Sequence, residues 1–166
     1  AADINMLCDP GVFLDTLSKL KVNNKWNLDN KWIEQNISEK KNWIDKSLKD
    51  LEKETIEAKK NGGKIHPLQL ALDVQDAMKD NDWLVIDGGN THFWSEIAIN
   101  IAGHKGKKLG GILHPGTFSM LGVGVPFALS AKNLNPKSNV VLISGDGAFL
   151  SGGLSIEAAF QEKKPI

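Results

Sequence analysis

Between Val140 and Leu150 an apolar run, Val140-Val141-Leu142-Ile143-Ser144, leads straight into Gly145-Asp146-Gly147 and then into a helix-forming stretch. No other segment constrains the fold as much. A short apolar run bounded by glycines reads as a strand buried on both faces, the kind found in parallel sheets covered by helices. At the carboxyl end of such a strand the chain turns sharply, and backbone N–H groups and helix starts face whatever binds there. The same turn carries one carboxylate, Asp146. A carboxylate cannot hold a phosphate directly, but with a divalent cation between them it can, and Mg²⁺ takes one or two carboxylates together with phosphate oxygens. The other reading of Asp146 is a cap on the following helix.

From residue 63 onward helix and strand patterns alternate, which favours an α/β fold with a doubly wound parallel sheet. Pro67 opens a helix carrying Leu68, Leu70, Ala71, Val74, Ala77 and Met78, with His66 as its cap. Residues 83–86 predict a strand, 90–101 a helix, 109–113 a short strand, 119–134 a Gly-rich helix, 139–144 the strand described above and 154–161 a helix; Pro165 and Ile166 would begin a further strand. Upstream, Asp9-Pro10 supplies an N-cap and a first-turn proline for a short helix with Phe13, Leu14, Leu17 and Leu20 on one face. Residues 28–60 are mostly charged, with Trp32, Trp43, Ile44, Leu48, Leu51 and Ile56 interspersed, and Gly62-Gly63 stops them. That pattern predicts a long linker helix with one packed stripe; the alternative is a partner-binding helix. The expected division is 1–22, 23–62 and 63–166.

Composition narrows the function classes. Twenty basic residues balance twenty acidic ones, so no electrostatic case exists for nucleic acid or an anionic membrane. Every basic residue is lysine. Without arginine a phosphate must be held by backbone N–H groups, a metal or lysine. The single cysteine, Cys8, permits no internal disulfide and points to a reducing compartment. Residues 1–20 lack the pattern of a secretory leader, and no run approaches the ~20 apolar residues of a membrane helix, so a cytoplasmic location is expected.

Two further segments read as ligand loops. Asp87-Gly88-Gly89-Asn90-Thr91-His92 follows a strand; its glycines let the backbone approach a ligand, and Asn90 and Thr91 can hydrogen-bond phosphate oxygens or cap the next helix. Gly116-Thr117-Phe118-Ser119-Met120-Leu121-Gly122-Val123-Gly124-Val125-Pro126 is rich in glycine, yet it lacks the third glycine of a dinucleotide fingerprint and carries a proline inside the would-be helix. Leu121 alone reads equally as a core leucine. His92 and His114 flank the expected cleft, as substrate-facing or incidental groups; His104 sits in a Lys-rich loop.

Taken in order, Asp87 to Trp94, Gly116 to Pro126 and Gly145-Asp146-Gly147-Ala148 resemble three segments of the thiamine diphosphate-dependent enzymes of the acetolactate synthase and benzoylformate decarboxylase type, over roughly residues 63–166. The resemblance implies a thiamine diphosphate-binding fold. It implies that Gly89, Asn90 and Thr91 contact the diphosphate, that Asp146 holds Mg²⁺, and that Gly145, Gly147 and Ala148 bring backbone groups to the same phosphates. The Ser119 carbonyl and the Leu121 N–H would meet the aminopyrimidine, with the Leu121 side chain wedged beneath the bent cofactor. It implies chemistry on 2-oxo acids, decarboxylation followed by protonation or by carboligation, with a glutamate from a facing subunit activating the cofactor. The family motif closes with an Asn-Asn pair, whereas this chain ends at Ile166. On that reading the second metal ligand lies beyond Ile166, the chain is a fragment binding half a cofactor site without turnover, and its partners are other domains of a parent chain and a second subunit. The competing reading is a non-catalytic nucleotide- or phosphate-binding α/β module.

Overall fold

A computed structural model describes residues 6–23 and 29–166 and divides the chain into two compact units meeting at Trp43 and Ile44. The position Leu28, expected to begin the linker helix, lies outside the described residues, as do the first five residues.

The first unit contains α1 (Pro10–Asn23) and the first part of α2 (Asn30–Lys60). Both helices start on aspartate caps: Asp9 Oδ1 accepts from the Val12 N–H at 3.0 Å and Asp29 Oδ1 from the Trp32 N–H at 3.1 Å. Each satisfies one of the amides that a helix start leaves unpaired.

In the second unit the rest of α2 buries Ile44 and Leu51, with Leu48 partly buried, a stripe spaced at helical intervals. They pack with Leu68, Ala71 and Leu72 of α3 (Pro67–Ala77) and Ala98 and Ile101 of α4 (Gly89–His104). His66 caps α3 as expected, its Nδ1 accepting from the Leu68 N–H at 3.1 Å.

The sheet is parallel, in the order β2-β1-β3, with β1 at Trp83–Asp87, β2 at Gly111–Leu113 and β3 at Val140–Ser144. Alternation along β1 explains the layers. Val85 points to one face, where it joins Ala128 and Ala131 of α5 (Gly124–Leu134); Leu84 and Ile86 point to the other, beside Met78 and Ile99. A strand covered on both sides must be apolar throughout, which is why Leu84, Val85 and Ile86 read as an unbroken run. Helices α6 (Asp146–Gly152) and α7 (Ile156–Gln161) follow β3.

One sequence expectation is corrected. The helix expected from residue 119 begins at Gly124; residues 116–118 form a single 3₁₀ turn, Ser119 sits at φ 49°, and Gly122 at φ 88°. The reason is a bond inaccessible to periodicity: the Gly122 and Gly124 N–H groups are drawn to the Asp87 carboxylate. Ile166 packs beside Val140 and Leu142. No described helix is long and apolar enough to cross a membrane.

Candidate functional site

In the parallel register Asp87 pairs with Ser144, so β1 and β3 end side by side and their following loops meet. The Gly145 N–H donates to the Asp87 carbonyl at 2.8 Å, continuing the ladder one step past the strands. Closeness of this kind requires glycine. Gly88 lies at φ 122°, and a methyl placed on it would come 3.1 Å from the Gly145 nitrogen; one placed on Gly145 would come 3.3 Å from Thr91 Oγ1. Gly89 and Gly147, by contrast, face open space.

Asn90 and Thr91 lie in the first turn of α4, where Gly88 is the N-cap and no side chain caps the free amides. The expectation that Asn90 or Thr91 caps this helix is therefore replaced by an uncapped helix start beside the Gly145 loop. Asn90, Thr91, Ser95 and Ser144 share a small cavity of about 230 Å³ with Pro67, Leu70 and Trp94. On the far side of β3, Ser144, Gly145, Asp146 and Phe149 line a larger cleft of about 670 Å³. Asp146 is exposed and opens α6; among the described residues its Oδ1 accepts from the N–H of the adjacent Gly147, at 2.8 Å, and the carboxylate faces solvent. Ala148 is buried behind it.

The third segment is tied to the other two through Asp87. This side chain is only 1% exposed, and its Oδ2 accepts from the Gly122 N–H at 3.0 Å and the Gly124 N–H at 2.7 Å. Its Oδ1 is buried with no partner among the described residues. One residue thus fastens the Gly88 loop, the Gly145 loop and the turn at 119–124. Leu121, just ahead of Gly122, is 52% exposed, which removes the core-leucine reading. On its other side Gly122 abuts α6: a methyl on Gly152 would run into the Gly122 carbonyl. The structure therefore brings the loops of Gly89–Thr91 and Gly145–Ala148 together directly, and joins the Ser119–Leu121 turn to them through Gly122.

Sequence reasoning gave Asp87 no part beyond ending a strand. Its signal was an acid closing an apolar strand immediately before Gly-Gly, where a buried carboxylate needs donors from elsewhere in the chain. The sequence also leaves His92 and His114 as isolated histidines; in the structure their rings meet at a tilt of 55° with centroids 4.5 Å apart, and His92 Nε2 lies 3.1 Å from Glu96 Oε1.

Residues 87–166, the segment holding all three loops, match the family model described as the thiamine pyrophosphate enzyme, C-terminal TPP binding domain. This segment is thiamine diphosphate-dependent enzyme superfamily sequence. The chain is similar over 104 residues, at 34% identity, to 2-hydroxyacyl-CoA lyase 2 of Homo sapiens, a match covering 61% of this chain and 15% of that protein. It is 33% identical over 95 residues to the catabolic acetolactate synthase of Raoultella terrigena, covering 57% of this chain and 16% of the relative. Over 115 residues it is 29% identical to acetolactate synthase of Bacillus subtilis, covering 69% and 19%. The chain thus spans about a sixth to a fifth of these relatives. In this thiamine diphosphate domain the family match begins at Asp87, the residue on which the three loops converge.

Proposed function

We propose that this domain binds the diphosphate of thiamine diphosphate through Mg²⁺ held by Asp146, as the diphosphate-side part of an enzyme acting on 2-oxo acids. The observation that carries the reading is the convergence of the uncapped start of α4 and the exposed Asp146 carboxylate at paired strand ends, inside a segment of thiamine pyrophosphate-binding family sequence. A diphosphate needs donors and a counter-cation. The first turn of α4 offers free amides, with Asn90 and Thr91 beside them, and Asp146 offers an oxygen ligand of the kind Mg²⁺ prefers. Gly88 and Gly145 let the two loops pack against each other, while Gly89 and Gly147 face open space beside them. With arginine absent from the whole chain, this donor set carries the recognition.

In this reading the Ser119 carbonyl accepts from the cofactor's amino group, the Leu121 N–H donates to its ring, and the exposed Leu121 side chain supports its bend. Asp87 acts at one remove by fixing the turn that presents them. Thiamine diphosphate supplies the stabilisation of a carbanion next to a former carbonyl carbon, which lets a C–C bond be broken or made there. The protein binds and orients. Catalysis requires the remainder of a longer parent chain and a second subunit. The relatives' names divide between acetolactate synthase and 2-hydroxyacyl-CoA lyase, so the parent's reaction is proposed at the level they share, carbon–carbon bond chemistry beside a carbonyl carbon, with acetolactate synthase-like decarboxylation and carboligation as the first case to assay.

Calorimetric titration with thiamine diphosphate, with and without Mg²⁺, tests the proposal. Binding should require the metal and weaken at least about tenfold in Asp146→Ala, as expected when a metal-binding group is lost. Metal-independent binding, or binding unchanged in the variant, would overturn the assignment of Asp146; no binding at all in a folded intact parent would favour the non-catalytic phosphate-binding module.

A further inference from the structure

The sheet order places β1 between β2 and β3, so the C-terminal edge has two flanks. Asp146 follows β3 on one. On the other, His114 follows β2, while His92 and Glu96 stand four residues apart in the first turns of α4 and share one helix face. One ligand atom from each of the three lies within 4.8 Å of the other two. We propose that His92, Glu96 and His114 form a binding site for a transition-metal cation of the Zn²⁺ type, separate from the Asp146 site and independent of it.

The donor set selects the metal. Two imidazoles and one carboxylate suit Zn²⁺ and its first-row neighbours, whereas Mg²⁺ and Ca²⁺ prefer oxygen ligands throughout. Three protein ligands also leave a fourth position for water or a substrate oxygen, the arrangement of open rather than purely structural zinc sites. Ligands held at ~2.0–2.1 Å from a tetrahedral ion stand roughly 3.3–3.5 Å apart. The 3.1 Å between His92 Nε2 and Glu96 Oε1 is already near that spacing, and His114 has to close by no more than about 1.5 Å. His114 is exposed and sits on the loop that follows β2.

Ligation carries a structural consequence. His114 Nδ1 accepts from the Gly116 N–H at 3.1 Å. If the metal takes Nδ1, that bond is displaced; if it takes Nε2, the ring proton moves to Nδ1, which then has no lone pair for Gly116. Either way the Gly116 amide loses its partner. Gly116, at φ 63°, begins the turn that leads to Ser119, so the cation is coupled to the segment ahead of Leu121.

The test is titration of the whole chain carrying Cys8→Ser, which removes the exposed thiol, with Zn²⁺ against a chromophoric chelator and with Co²⁺ followed by its visible d–d absorption. One equivalent should bind, and the Gly116 amide resonance should shift as it does. His92→Ala, Glu96→Gln and His114→Ala should each weaken binding at least about tenfold, while Asp146→Asn and His66→Ala leave it unchanged. Absence of stoichiometric binding, an unmoved Gly116 resonance, or binding that survives all three substitutions would overturn the proposal. Glu96→Gln removes only a charge from a half-buried helix face and so tests the site without threatening the fold. Because the readout uses neither thiamine diphosphate nor Mg²⁺, its failure and failure of the Asp146 assignment are told apart.

Discussion

Replacing the Asp87 side chain should loosen the turn at 119–124, while the bond from the Gly145 N–H to the Asp87 backbone carbonyl remains. Its Oδ2 accepts two backbone N–H bonds, from Gly122 at 3.0 Å and Gly124 at 2.7 Å. Hydrogen bonds to a charged acceptor contribute about 1.5–3 kcal/mol each, against roughly 0.5–1.5 kcal/mol for neutral ones. Asp87→Asn keeps an oxygen for the two amides but loses the charge. The loss on two bonds is about 2–3 kcal/mol, partly offset because a neutral amide costs less to bury than a carboxylate. A net destabilisation of about 1–2 kcal/mol is expected. Asp87→Ala removes the acceptor altogether and should cost about 3–4 kcal/mol, a large fraction of the ~5–15 kcal/mol available to a domain. Urea unfolding at constant m-value measures both. Native-state amide exchange localises the effect: Gly122 and Gly124 should exchange faster in the alanine variant, while Leu84 and Val85, at the centre of the sheet, change only as global stability does. An asparagine variant as stable as the parent protein, together with unchanged exchange at Gly122 and Gly124 in the alanine variant, would refute the reasoning. It would mean that burial of the carboxylate cancels its bonds and that the turn holds itself.

Glycine positions give a paired prediction. Gly152→Ala drives a methyl into the Gly122 carbonyl and should destabilise by about 1–3 kcal/mol, whereas Gly103→Ala, in open space within α4, should stabilise by about 0.5–1 kcal/mol; melting temperatures of opposite shift check both. Asp82 supplies the pH dependence. Burial pushes its carboxyl upward, but hydrogen bonds from the Lys79 N–H and from the Asn139 side chain and backbone, with the Lys79 charge, outweigh this and hold it below the ordinary 3.8. A depressed carboxyl contributes stability that is present above the unfolded-state value and lost as pH falls through the folded one. Asp82→Asn should therefore be destabilising at neutral pH, with the difference from the parent protein shrinking below about pH 4; a constant difference down to pH 2 would contradict it.

The strands and loops near the site were legible because each is a local pattern: an apolar run, then glycine, then a polar residue. Asp146 stands out for the same reason. Asp87 does not, since its work is done on amides 35 and 37 positions later in the chain. That distance also explains the misplaced start of α5. Leu121 to Gly124 has nothing against a helix except its two glycines, Gly122 and Gly124, and it is the carboxylate arriving from β1 that draws their amides out of register. The His92–Glu96 pair is readable as helix spacing, but its meeting with His114 depends on β2 lying beside β1, which no local pattern encodes.

The strand order β2-β1-β3 also sets a timetable. The central strand is synthesised first, and both of its neighbours come later; Asp82 and Asn139, bonded across β1 and the start of β3, lie 57 positions apart. At ~5–20 residues per second on the ribosome, β1 waits about 3–11 s for the strand that completes its ladder. Until then Leu84 to Ile86 are a sticky, unpaired edge in a nascent chain, and the Gly88 and Gly145 loops are strangers. The Gly88 and Gly145 loops can thus meet only once β3 has been made.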